Sequence, residues 1–221
     1  MTSGAGDRTV VVAGAGGSAG RAVCAALTAA GAHVVAVGSR AESLTDVEGE
    51  AVDAAETAVV DLADPSAVSA WAAELRARRP SIDGLVHLVG GWRPGASEDD
   101  WEWLERRVLT TLRVLSRELR DDLSGSSAGR LAIVSSASVA APRWGMANYV
   151  TLKAAAEVWV QALATGWRVK GTPTAAVTFV VGSLEAGDTI AQLAAACAGL
   201  WEVGHEELNG AVVQIAPETG D

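Results

Sequence analysis

The stretch from Thr9 to Val37 constrains this chain more than any other. Thr9 to Ala13 reads TVVVA, a β-branched run with the length and composition of a buried strand. It leads directly into Gly14-Ala15-Gly16-Gly17-Ser18-Ala19-Gly20. Arg21 to Ala30 has the pattern of a helix, Gly31 is placed to close it, and His33 to Val37 is a second apolar strand. Strand, glycine turn, helix and strand over about 30 residues make a βαβ unit. Glycines let such a turn fold tightly and leave the N–H groups at the helix start open to a phosphate. The turn is therefore a candidate dinucleotide-binding site, with Gly14, Gly16, Gly17, Ser18, Ala19 and Gly20 as its residues. A purely structural turn is the alternative.

The alternation continues along the chain. Ala58 to Leu62 reads as a third strand with Asp61 at its acidic end, and Asp64-Pro65 opens a helix to about Arg79. Gly84 to Val89 (GLVHLV) is a fourth strand, followed by Gly90-Gly91-Trp92. Ser97 caps a helix expected to run unbroken to about Leu123, with Trp101, Leu104, Val108, Leu112 and Leu115 at helical spacing. Leu131 to Val134 is a fifth strand running into Ser135, Ser136 and Ser138. A helix carrying Tyr149 and Lys153 reaches Arg168, a sixth strand spans Ala175 to Val181, a helix spans Asp188 to Leu200, and a seventh strand spans Ala211 to Ile215. This order implies an α/β fold: one doubly wound parallel sheet of about seven strands with helices on both faces. The whole chain, 1–221, is expected to form one domain, with residues 1–8 as a flexible tail. Ligands in such sheets bind outside the C-terminal strand ends. The glycine turn, Asp61, Gly90, Ser135, Ser136 and Gly182 all fall there.

Charge narrows the partners. The net charge is −10, which argues against nucleic acid and against an anionic membrane surface. An anionic cofactor would need local basic groups or helix N-termini. Cys24 and Cys197 are far apart, with no CxxC or Cys/His cluster, so neither a disulfide framework nor a metal site is expected, and both read as reduced and buried. No basic leader and no apolar run of membrane length is present, which makes the cytoplasm the expected compartment.

Two details point to chemistry. The second strand ends at Val37-Gly38-Ser39-Arg40, without the Asp or Glu that usually holds the ribose hydroxyls of NAD. Arg40 could instead pair with a 2′-phosphate, which favours NADP(H) while leaving NAD(H) open; the alternative is that Arg40 merely precedes a short helix. The only tyrosine, Tyr149, lies four residues before one of the two lysines, Lys153. On a helix the two share a face. A neighbouring cation lowers a phenol pKa from about 10 toward the range a general acid–base needs. An amphipathic helix with one aromatic and one surface lysine is the other reading.

Taken together, these residues resemble the short-chain dehydrogenase/reductase family over nearly the full length. Gly14, Gly17 and Gly20 fit the family's GxxGxxG spacing, Ser136 lies 13 residues before Tyr149, and Tyr149 with Lys153 matches the YxxxK pair. The resemblance implies a Rossmann-type sheet and a carbonyl or alcohol as the small-molecule substrate. It implies Tyr149 as proton donor or acceptor and Ser136 as the group orienting the substrate oxygen. Lys153 would hold the nicotinamide ribose and lower the tyrosine pKa. Asp61 and Leu62 would touch the adenine, and Gly90 and Gly182 would line the cofactor. Substrate walls would come from Trp92, Arg93, Trp144 and Met146. A homodimer or homotetramer through the long helices is also implied.

The chain departs from the pattern at several points. Asn-Asn-Ala-Gly after the fourth strand is here His87-Leu88-Val89-Gly90, with His87 read as a strand residue making a local hydrogen bond. Val108 stands where the family has a relay Asn. Val181 replaces the Pro before Gly182, Ala186 falls where a Thr is usual, and the segment after Gly182 is short. These departures keep open an isomerase, dehydratase or cyclase on the same fold, or a nucleotide-binding sensor or scaffold.

Overall fold

The computed structural model describes residues 4–45, 55–184 and 187–215. Seven strands form one sheet: β1 (Thr9–Ala13), β2 (His33–Gly38), β3 (Glu56–Val59), β4 (Gly84–His87), β5 (Arg130–Ser136), β6 (Ala175–Val181) and β7 (Val212–Ile215). Every pairing is parallel and the order is β3-β2-β1-β4-β5-β6-β7. The order reverses between β1 and β4, and a crevice forms at such a reversal because successive connections leave to opposite sides.

Both faces of the sheet are covered, which is why β1 and β6 are buried throughout and carry only one threonine each, Thr9 and Thr178, among apolar residues. Alternate residues feed opposite cores, as the two-residue period of a strand dictates. Val10, Val12, Val34 and Ala36 enter one core with α1 (Ser18–Ala29) and α7 (Gly187–Ala198). Val11, Ala13, Val35 and Val37 enter the other, with α2 (Pro65–Arg78), α3 (Glu98–Glu105), α4 (Thr111–Glu118) and the 24-residue α6 (Ala147–Lys170). Two short helices, α5 (Arg120–Gly125) and α8 (His205–Leu208), complete the α-helices among the described residues. Cys24 and Cys197 are buried free thiols, both raised to about 12 by burial.

Four local expectations are corrected. Helix α1 begins at Ser18, three residues earlier than the Arg21 start, so Ser18, Ala19 and Gly20 form its first turn. Strand β3 covers Glu56–Val59 rather than Ala58 to Leu62, because its parallel register pairs Val35 with Glu56 and Gly38 with Val59. The helix from Ser97 is interrupted by a π-turn at Arg106–Thr110 and ends its long run at Glu118. Finally, residues 4–8 are no loose tail. Ala5 is buried, the Asp7 N–H donates to the Gly31 carbonyl at 3.0 Å, and the Arg8 carbonyl accepts from the His33 N–H at 2.8 Å. Among the described residues no helix is long and apolar enough to cross a membrane.

Candidate active site

Two clefts open along the C-terminal strand ends and meet at Val89. The larger is about 500 Å³ and is lined by Ser136, Tyr149 and Lys153 together with His87, Gly90 and Gly182. Ser136 ends β5, while Tyr149 stands in the first turn of α6 and Lys153 one turn further on. A helix packed beside a strand end thus brings three residues, spread over 18 positions of sequence, to one wall.

The electrostatics of that wall come from burial. The Lys153 ammonium is pushed down to about 8 by loss of solvent, partly countered by the Glu157 carboxylate. Its Nζ donates to the Val134 carbonyl at 2.8 Å and sits 5.9 Å from the Tyr149 ring centroid. Burial likewise raises the Tyr149 phenol above its ordinary value, and a hydrogen bond with Ser136 acts the other way. Lys153 is turned toward a backbone carbonyl, and the group that favours the tyrosinate is Ser136. At neutral pH the phenol is protonated and able to donate.

Two partners of this wall were not legible as site residues. Ser135 donates a short hydrogen bond to the Glu157 carboxylate, which lies one helical turn beyond Lys153 on the same face. The only available signal was a Glu four residues after the lysine. Glu157→Gln is expected to move the alkaline fall of kcat/KM for the reduced cofactor to lower pH by roughly one unit, because removing a nearby negative charge lowers a cation's pKa. The sign follows from Lys153: protonated below about 8, it loses its charge as pH rises through that value. A pH–rate profile unchanged from wild type would remove Glu157 from this role.

His87 is the second partner. It is buried and pushed down to about 3, first by burial and then by the Lys153 charge, so its ring is neutral. Its Nε2 lies 2.9 Å from Thr111 Oγ1, and the Thr111 hydroxyl itself donates to the Arg107 carbonyl at 2.6 Å. With that hydroxyl proton committed, His87 Nε2 carries the hydrogen and donates. The chain His87, Thr111, Arg107 ties the end of β4 to the π-turn. Val108, at the position of the family Asn, is buried in that turn within the core.

The glycine turn sits opposite. Gly14 has φ 84° and its missing Cβ would lie 2.9 Å from the Val89 nitrogen. Gly17 is the N-cap of α1, with no side-chain cap and no acidic residue in the first turn. An uncapped helix start beside open glycine is what a pyrophosphate requires, so Gly17, Ser18 and Ala19 fit that group. Gly16 fits less directly, since a Cβ there would meet Ser43 at 2.5 Å; it packs under the turn. Gly90 and Gly182 are open, a Cβ at Gly90 coming no closer than 3.8 Å to Lys153 Nζ.

The smaller cleft, about 300 Å³, includes Ser39, Asp61, Leu62, Arg106 and Arg107. Asp61 is paired with Arg106 at 2.6 Å. Arg40 is exposed and lines neither cleft; it precedes a short 3-10 turn, Ala41–Ser43, whose Ser43 Oγ donates to the Arg40 carbonyl at 2.8 Å. Of the four expected substrate walls, Trp92 and Met146 line the larger cleft. Arg93 does not, being stacked 4.1 Å from the Trp103 ring centroid and paired with Asp100 at 3.4 Å. Trp144 is 82% exposed and lines neither cleft. Ala186 lies outside the described residues.

The whole arrangement has counterparts. Residues 8–185 match the short chain dehydrogenase family model, and the chain belongs to that family. It is 31% identical over 166 residues to 2,3-dihydro-2,3-dihydroxybenzoate dehydrogenase of Bacillus subtilis (strain 168), a match covering 69% of this chain and 61% of that protein. The chain thus spans less than two thirds of the length of that relative. Among solved structures it is similar to the citronellol catabolism dehydrogenase of Pseudomonas aeruginosa PAO1, with TM-score 0.82, 25% identity and coverage of 97% of this chain and 96% of that one. A metagenomic short-chain oxidoreductase in complex with NADP superposes with TM-score 0.83 at 24% identity, covering 96% and 98% of the two chains.

Proposed function

We propose that this chain is an NADP(H)-dependent oxidoreductase that interconverts a carbonyl compound and its alcohol. The observation that carries the reading is the convergence of Ser136, Tyr149 and Lys153 on one cleft at the crevice beside the glycine turn. The nicotinamide cofactor supplies or accepts the hydride. In the reducing direction Tyr149 donates its phenolic proton to the substrate oxygen as negative charge develops there. Ser136 holds that oxygen by hydrogen bonding and is already placed to steady the tyrosinate left behind. Lys153, fixed through Val134, presents its charge to the nicotinamide ribose. Gly17, Ser18 and Ala19 hold the pyrophosphate, and Leu62 and Asp61 lie at the adenine end.

Arg40 is assigned to the 2′-phosphate, because β2 is followed by Ser39-Arg40 without a carboxylate and Ser39 lines the smaller cleft. The test is a titration of the purified protein with NADPH and NADH, followed by tryptophan quenching. Tight NADPH binding is expected, weakened about 10- to 100-fold in Arg40→Ala by the lost charge-assisted hydrogen bonds, with NADH binding unchanged. Equal loss of both would place Arg40 elsewhere. A folded wild-type sample that binds no nicotinamide nucleotide would defeat the oxidoreductase reading.

A further inference from the structure

We infer that Arg106, on the π-turn, is a cofactor-binding residue whose guanidinium forms the outer wall on which a purine ring of an adenosine nucleotide stacks. The inference rests on the cofactor reading above and adds a residue to it. The smaller cleft is apolar at its base, where Val60 and Leu62 are 6% and 5% exposed. Its outer wall is polar, with the Asp61 carboxylate and the Arg106 guanidinium held together at 2.6 Å. The pairing holds the guanidinium beside the cleft, and the delocalised cation is a good stacking partner for an aromatic face. An apolar base with a flat cationic wall suits a heteroaromatic ring better than a sugar or an aliphatic chain.

The backbone explains why Arg106 stands there. The π-turn Arg106–Thr110 inserts an extra residue into the helix, and such turns re-aim the side chains around them. The Thr111 hydroxyl holds the Arg107 carbonyl at 2.6 Å, and His87 holds Thr111, so the turn is locked to the end of β4. Arg107 is held differently, its guanidinium 4.3 Å from the Trp103 ring centroid. That leaves Arg106 as the arginine lying across from Asp61. Both arginines also bring positive charge to an anionic ligand in a chain of net charge −10. The Asp61–Arg106 pair is more than half exposed, so it is weak enough to rearrange around a ligand.

The test compares wild type, Arg106→Ala and Arg106→Lys by titration with NADPH, AMP and reduced nicotinamide mononucleotide, which lacks the adenosine. Arg106 is exposed, so both variants should melt with the wild type. Arg106→Ala is expected to weaken NADPH and AMP by roughly 3- to 30-fold and to leave the mononucleotide unchanged. Arg106→Lys should recover less than half of that loss on a logarithmic scale, since it restores the charge without the planar face. Wild-type affinity for NADPH and AMP in Arg106→Ala overturns the inference while leaving the cofactor reading standing. Full recovery by Lys also overturns it, by showing that charge alone acts. A wild-type protein that binds none of the three ligands overturns the cofactor reading as well.

Discussion

Tyr149→Phe is expected to lower kcat for carbonyl reduction by about 100- to 10,000-fold, the usual contribution of a positioned general acid. NADPH affinity should change by less than about threefold, since only an oxygen is removed and the ring stays packed. The ring lies against the core that also holds Leu152 and Ala156 of α6. The phenyl group keeps that contact, so the melting temperature should move little. What disappears is the one phenol beside Ser136, raised by burial and therefore protonated and ready to donate at neutral pH. The measurement is single-turnover reduction under saturating NADPH, with binding followed separately. Activity within tenfold of wild type would mean the proton comes from elsewhere, from Ser138 or from water at the cleft. Loss of binding together with loss of rate would mean that Tyr149 acts chiefly in holding the cofactor.

The parts of this molecule that the sequence shows plainly are those set by local chemistry. β1 and β6 fall where their largely apolar, β-branched runs place them, because a strand buried on both faces has little use for polar residues. Gly31 closes α1 at φ 85°, and Gly171 closes α6 at φ 67°, in the left-handed region that favours glycine. β3 is hidden in the sequence for the opposite reason. Glu56 and Thr57 do not look like a strand, and their position is dictated by hydrogen bonding to β2 rather than by their own preference. The π-turn was invisible because Trp101, Leu104, Val108, Leu112 and Leu115 keep helical spacing through it. One extra residue is absorbed without breaking the apolar stripe.

The same division holds at the candidate site. Ser136, Tyr149 and Lys153 carry a recognisable spacing, and they line one wall. Glu157 and Ser135 meet only because α6 packs beside β5, and Arg106 meets Asp61 across 45 positions of sequence. Nothing local announces either contact. Lys153 illustrates a further limit. Its position on α6 followed from helical periodicity, but its partner, the Val134 carbonyl, did not, and that partner decides where the charge points.

Gly20→Ala tests the glycine turn at its most crowded point. A methyl group at Gly20 would lie 2.3 Å from the Gly14 carbonyl oxygen and 2.6 Å from the Ala15 Cα. Both are backbone atoms, and neither can rotate away. The turn cannot retreat toward β4 either, because Gly14 already sits against Leu88 and Val89. Alanine is favoured over glycine in a helix by about 1 kcal/mol, and it also reduces the freedom of the unfolded chain. Overpacking of this kind costs about 1–3 kcal/mol in ordinary cores, and here the contacts are rigid, so the steric term should win. A net loss of about 2 kcal/mol corresponds to a fall in Tm of roughly 4–8 °C for a chain of this size. NADPH affinity should fall at least about tenfold as the N–H groups at the start of α1 are displaced. Gly17→Ala separates the two effects. Its Cβ would have only an ordinary 3.6 Å contact with the Gly14 carbonyl, and its φ of −78° suits alanine. That variant should melt within about 2 °C of wild type and still bind NADPH poorly, because the methyl group stands at the uncapped helix start where the pyrophosphate would lie. Should Gly20→Ala melt with the wild type, the turn yields without cost and the close approach is not what demands glycine. Should Gly17→Ala bind normally, the phosphate does not sit on this helix start.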